Sequence, residues 1–145
     1  MSNGVSELLN VPGEGSLSIQ FNGKTYTAGL ITQKVKADFE KRMERKALDA
    51  IFKVKDLLDP VEFREAVSGV TRDIAAGIYS FGSERSIQAL STPAGTCSFA
   101  SILFNAPEAE IEQLVMAKSD EFKIVMDLVR EKSYPNAQKA SQVQP

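Results

Sequence analysis

Between Val35 and Val54 an apolar residue returns at every third or fourth position. Val35, Phe39, Met43, Ala47, Ile51 and Val54 make one stripe at the period of an α-helix, and most positions between them are charged. A helix built this way must bury one face against another element, which commits the region to packed helices. Thr32 is placed to cap it, and the spacing predicts a helix to about Lys55. Asp38 with Arg42, and Asp49 with Lys53, are i,i+4 pairs in the favourable orientation, each contributing ~0.2–0.5 kcal/mol.

The same period recurs downstream. Asp59-Pro60 supplies an N-cap and a proline at the first helical position. The second helix carries Phe63, Val67, Val70, Ile74 and Ile78 on one face, with Gly82 as its stop. Ser83 then caps a short helix through Leu90. Thr92-Pro93-Ala94-Gly95 reads as a breaker, followed by a small-residue helix from about Thr96 to Asn105. After Ala106-Pro107, Glu108, Glu110 and Glu112 fall in the first turns of another helix, where carboxylates complement the dipole. Apolar positions from Ile111 to Val129 continue, and Lys118-Ser119-Asp120 interrupts them. A break or kink is expected there, with one continuous helix as the alternative.

Upstream the period changes to two. Leu17-Ser18-Ile19-Gln20-Phe21 alternates, Asn22-Gly23 is the strongest short hairpin signal, and Lys24 to Ala28 can return as a second strand. The expected fold is mainly α, a helical bundle of about five helices with an N-terminal β-hairpin. Residues 1–15 read as a flexible arm, 16–132 as a single mainly helical domain with the hairpin at about 17–28, and 133–145 as a disordered tail.

Composition narrows the chemistry. The chain of 145 residues has no histidine, so Ser-His-Asp and Cys-His arrangements and histidine metal sites are excluded. No catalytic, metal or cofactor site is expected, and the protein is read as not an enzyme. Cys97 is the one cysteine, so no intrachain disulfide can form. It reads as a small buried residue, because there is no histidine to act as its base. Gly77-Ile78-Tyr79-Ser80-Phe81-Gly82-Ser83 lacks the ending of a phosphate loop and reads as a helix terminus. The formal charge of −2, from 17 basic and 19 acidic side chains, gives no net basic field for nucleic acid. Locally the first long helix is basic. A solvated face is the plain reading, with an acidic protein partner or a nucleic acid as the alternatives. No basic and apolar leader opens the chain, and no apolar run approaches the ~20 residues of a membrane span. No signal peptide and no membrane partner are expected. Phe52, Leu48, Tyr79, Phe81 and Phe104 lie off the regular stripes. They form either a second core surface or an exposed patch, and Phe52, Tyr79, Phe81 and Phe104 are the candidate interaction surface.

The order of these features resembles the small tail-assembly chaperones and related virion-associated proteins of tailed phages, over about Leu17 to Arg130. The likeness rests on Asn22-Gly23-Lys24-Thr25-Tyr26, Leu30-Ile31-Thr32, Asp59-Pro60, Gly77-Ile78-Tyr79 with Gly82-Ser83, the small residues from Ser91 to Phe104, and Pro107 before an acidic helix start. Where such proteins often have Pro-x-Ile-Thr, this chain has Ala106-Pro107-Glu108. The resemblance implies a non-enzymatic assembly chaperone or adaptor in the host cytoplasm. It would bind a phage structural protein such as the tape measure. It implies no site at the level of residues. The alternative is a virion structural subunit, a capsid, neck or tail component assembling as a homo-oligomer.

Overall fold

The structure is a computed structural model that describes residues 17–135. The arm expected over 1–15 and the tail beyond Pro135 lie outside the described residues. The chain is mainly α with an N-terminal antiparallel hairpin, in the order β1 (Ser18–Phe21), β2 (Lys24–Thr27), α1 (Gln33–Lys53), a 3-10 turn (Lys55–Leu57), α2 (Pro60–Ala75), α3 (Glu84–Leu90), α4 (Pro93–Phe104), α5 (Glu108–Ala117) and α6 (Ser119–Ser133). Contacts group the chain into two compact units, one holding residues 17–32 and 97–135 and the other residues 33–96. The second unit is thus inserted, in sequence, between the two parts of the first.

In the first unit, Asn22 and Gly23 take φ of 50° and 74°, the two positive values a type I′ turn requires. They set the register Phe21↔Lys24, Gln20↔Thr25, Ile19↔Tyr26 and Ser18↔Thr27. Ile19 and Tyr26, opposite each other, are both buried and turn the same face of the hairpin inward. An isolated hairpin is marginal in water, and three further bonds anchor this segment within its unit. Gly29 N donates to the Leu103 carbonyl at 2.8 Å, Ile31 N donates to Ser133 Oγ at 2.9 Å, and Tyr26 OH donates to Glu110 Oε1 at 2.9 Å. The Ser133 bond shows that α6 carries order past the point where the sequence turns polar.

Glu110 also accepts from Lys24 Nζ at 2.9 Å. The hydrogen bonds from Lys24 and then Tyr26 hold its carboxyl below the ordinary glutamate value. The same carboxylate raises the Lys24 ammonium and the Tyr26 phenol, chiefly through those bonds. A lowered carboxyl stabilises the fold above its unfolded value and loses that contribution as pH falls through the folded one. A raised phenol contributes below its unfolded value and loses it as pH rises through the folded one. Glu110→Gln is therefore expected to return the Tyr26 titration towards that of a free phenol. A carbon-13 tyrosine titration by NMR checks this, and an unmoved Tyr26 contradicts the contact.

α4 is buried from Cys97 through Ser101, and Leu103 and Phe104 are buried with them. Small side chains allow this close packing on several sides of one helix. Asn105, at φ 51°, closes α4: Asn105 N donates to the Ile102 carbonyl and Ala106 N to the Ser101 carbonyl. α5 and α6 are separate helices, broken where Lys118 leaves helical geometry at φ −130° and ψ 45°. Ile111, Leu114, Phe122, Val125 and Val129 complete the core, with the Phe104 and Phe122 rings stacked at 6.3 Å.

In the second unit, Asp59 makes a full capping box. Its carboxylate accepts from Glu62 N at 2.8 Å, and Glu62 Oε1 accepts from Asp59 N at 3.0 Å. Asp59→Ala is expected to cost about 1 kcal/mol, read as a lower midpoint in urea with an unchanged slope. α2 ends earlier than the sequence suggests. Gly77, at φ 75°, closes the helix in place of Gly82, with Gly77 N donating to the Ile74 carbonyl and Ile78 N to the Asp73 carbonyl. Ile78 consequently falls outside the helical stripe. Ser83 caps α3 as expected, accepting from Ser86 N at 3.2 Å. Thr92-Pro93-Ala94-Gly95 begins a helix instead of breaking one. Pro93 is its first residue, and Thr92 Oγ1 accepts from Gly95 N at 3.0 Å.

Candidate docking surface

α1 and α2 fold back on each other through the 3-10 turn and carry the apolar stripes of the sequence inward. The packing is thin. Phe39 is the buried residue of α1, and α2 has none. Phe39 is held by the edge of Phe81 at 6.3 Å and 75°, and Phe81 N donates to Glu40 Oε2 at 3.0 Å. At the other end, Phe52 meets Phe63 edge-on at 5.3 Å, and Lys55 Nζ lies 5.2 Å from the Phe63 ring centre.

That end of the hairpin holds the largest run of exposed apolar side chains among the described residues. Phe52 is 53% exposed, Val54 39%, Leu57 83% and Val61 55%. Phe52 lies in the last turn of α1, Val54 and Leu57 in the connection and Val61 in the first turn of α2, so all four belong to the end of the helical hairpin where the chain reverses, its tip. Leu30, Ile78, Ile87, Met116 and Ile124 are also exposed, spread along the sequence, and scattered exposed apolar side chains are common on protein surfaces. Burying Phe52 and Leu57 against a partner would contribute about 1.5–3 kcal/mol for each side chain fully covered.

Of the four candidate interaction residues, Phe52, Tyr79 and Phe81 belong to the second unit and Phe104 to the first. Phe52 is at the tip. Phe81 is half-buried against Phe39. Tyr79 and Phe104 are buried, at 6% and 5% exposure, and have no surface to offer a partner. For these two, the core reading replaces the interface reading. Leu57 and Val61, by contrast, are functional candidates that periodicity missed. A signal was available: Lys55-Asp56-Leu57-Leu58-Asp59 places two leucines in a charged connection that neither stripe requires.

The reactive possibilities are placed as follows. Cys97 is buried in α4. Gly77 to Ser83 forms the terminus of α2 and the cap of α3. Glu108, Glu110 and Glu112 do not converge, and Glu110 is engaged by the hairpin. No group of three or more acidic, cysteine or histidine residues among the described ones could hold a metal ion. A depression on α2 is lined by Val61, Arg64, Glu65, Ser68 and Arg72, all from one helix face. No helix among the described residues is long and apolar enough to cross a membrane. No protein-family model, curated protein or solved structure matches the chain.

Proposed function

We propose that this protein is a non-catalytic docking protein whose α1–α2 hairpin presents its apolar tip to a protein partner. The observation that carries the reading is the exposure of Phe52, Leu57 and Val61 at the end where α1 turns into α2. A patch of this kind is unfavourable in water unless something covers it during function. The resemblance to tailed-phage assembly proteins supplies the finer reading: a tail-assembly chaperone or adaptor that binds a virion protein such as the tape measure in the host cytoplasm.

The test is a pull-down of the tagged full-length chain from cells in which phage particles are assembling. Mass spectrometry of purified particles accompanies it. A chaperone recovers a tail protein from the lysate and is missing from mature particles. Persistence in the particle would make the chain a structural subunit instead. No virion protein in the pull-down, together with no trace of this chain in the particles, contradicts the phage reading.

A further inference from the structure

We infer that the outer face of α1 docks an acidic amphipathic helix of the partner, an inference that rests on the docking reading above and specifies its chemistry. At 100° per residue, Lys34, Ala37, Lys41, Arg45, Leu48 and Phe52 all fall within about 40° of one line along α1. This line is opposite Phe39, the buried residue of the helix. Lys34, Ala37, Lys41, Arg45 and Phe52 are exposed and Leu48 is half-buried, so the stripe is open along most of its length, with Phe52 at its end also touching Phe63 of α2.

The stripe carries cationic and apolar side chains and no acid. Asp38, on the flank of the stripe, accepts from Lys34 Nζ at 2.8 Å and also feels the charge of Lys41. Glu40 is engaged by the Phe81 amide. Glu44 and Asp49 point to opposite flanks, about 60–80° from the line. Lys41 and Arg45 are exposed on a line that holds no acid of its own, so the stripe presents cationic charge beside the apolar surface of Leu48 and Phe52. The complementary ligand is apolar along its centre and anionic at its edge.

The shape favours a helix over other anions. From Lys41 to Phe52 the stripe is about 17 Å long and one side chain wide. That matches three turns of a second helix laid along it, with its acidic residues over Lys41 and Arg45 and its apolar ones over Leu48 and Phe52. A duplex or an anionic bilayer engages a broader cationic surface, and the chain's charge of −2 opposes both.

The experiment uses the full chain and a set of stapled helical peptides of about 18 residues. All carry the same leucine stripe, flanked by Glu, by Gln or by Lys, and binding is read by fluorescence anisotropy. The Glu-flanked peptide is expected to bind about ten-fold tighter than the Gln-flanked one and to weaken with salt. The Lys41→Glu, Arg45→Glu double variant, with an unchanged circular dichroism spectrum, is expected to prefer the Lys-flanked peptide. Equal affinity for the Glu and Gln peptides overturns the acidic assignment while leaving a docking tip in place. No binding of any peptide also overturns it. Tighter binding to phosphatidylglycerol vesicles or duplex DNA than to the Glu-flanked peptide overturns it in favour of that anion.

Discussion

Gly95→Ala is expected to lower stability by about 3 kcal/mol and the melting temperature by about 10 °C. A Cβ at Gly95 would lie 1.8 Å from the Ala89 carbonyl oxygen and 2.5 Å from its carbon, distances no folded backbone tolerates. The carbonyl cannot simply move aside. It accepts from Thr92 Oγ1 at 2.7 Å and from Thr92 N at 3.1 Å, and Thr92 Oγ1 in turn accepts from Gly95 N. Opening the corner between α3 and α4 thus also breaks the cap of α4, a loss of about 1 kcal/mol within the total. Gly69 is the control. It lies within α2 with nothing inside 4 Å of a built Cβ, so Gly69→Ala should stabilise by about 0.5–1 kcal/mol. Thermal melts of the two variants should move in opposite directions. A Gly95→Ala melt within about 2 °C of wild type contradicts the close corner.

The tight corner also explains where the sequence misleads. A proline and a glycine within four residues look like a break, and the same residues serve a helix start when a threonine precedes them. Periodicity reports which face of a segment is apolar, not which neighbour approaches it. The need for glycine at position 95 comes from Ala89, across a turn that local pattern does not specify. The end of α2 shows the same limit. Gly77 and Gly82 both take positive φ, and which of them closes the helix depends on whether Ile78 continues the stripe.

Signals that act within a few residues were legible. Asn22-Gly23 fixed the turn and hence the hairpin register, Asp59-Pro60 opened α2, Ser83 capped α3, and Lys118-Ser119 separated α5 from α6. Glu110 was legible only as a dipole partner of α5. Its bonds to Lys24 and Tyr26 join residues more than eighty positions apart, and no local rule pairs them. The candidate surface divided in the same way. Phe52 was identifiable because it stands off the apolar stripe, yet so do Tyr79 and Phe104, which packing buries. Being off-stripe separates a residue from one helix face and says nothing of a second neighbour. Leu57 was overlooked because it lies between two periodic segments and belongs to neither.

The second large effect is on binding. Phe52 and Leu57 are the bulkiest exposed groups of the tip, an aromatic side chain at the end of α1 and a branched aliphatic one in the turn that follows. Side chains of this size at the centre of an interface each contribute about 2 kcal/mol or more, so removing both should raise the Kd about a thousand-fold. Leu57 is 83% exposed, and its truncation should leave stability within about 0.5 kcal/mol of wild type. Phe52 also loses its contact with Phe63, so its variant requires a melt alongside. The decisive measurement is the affinity of the Phe52→Ala, Leu57→Ala chain for the recovered partner, taken below its melting transition. A loss of about three orders of magnitude with the helical spectrum intact is predicted. An unaltered Kd, or a small-molecule turnover abolished by changing one polar side chain, would contradict a protein that works by docking.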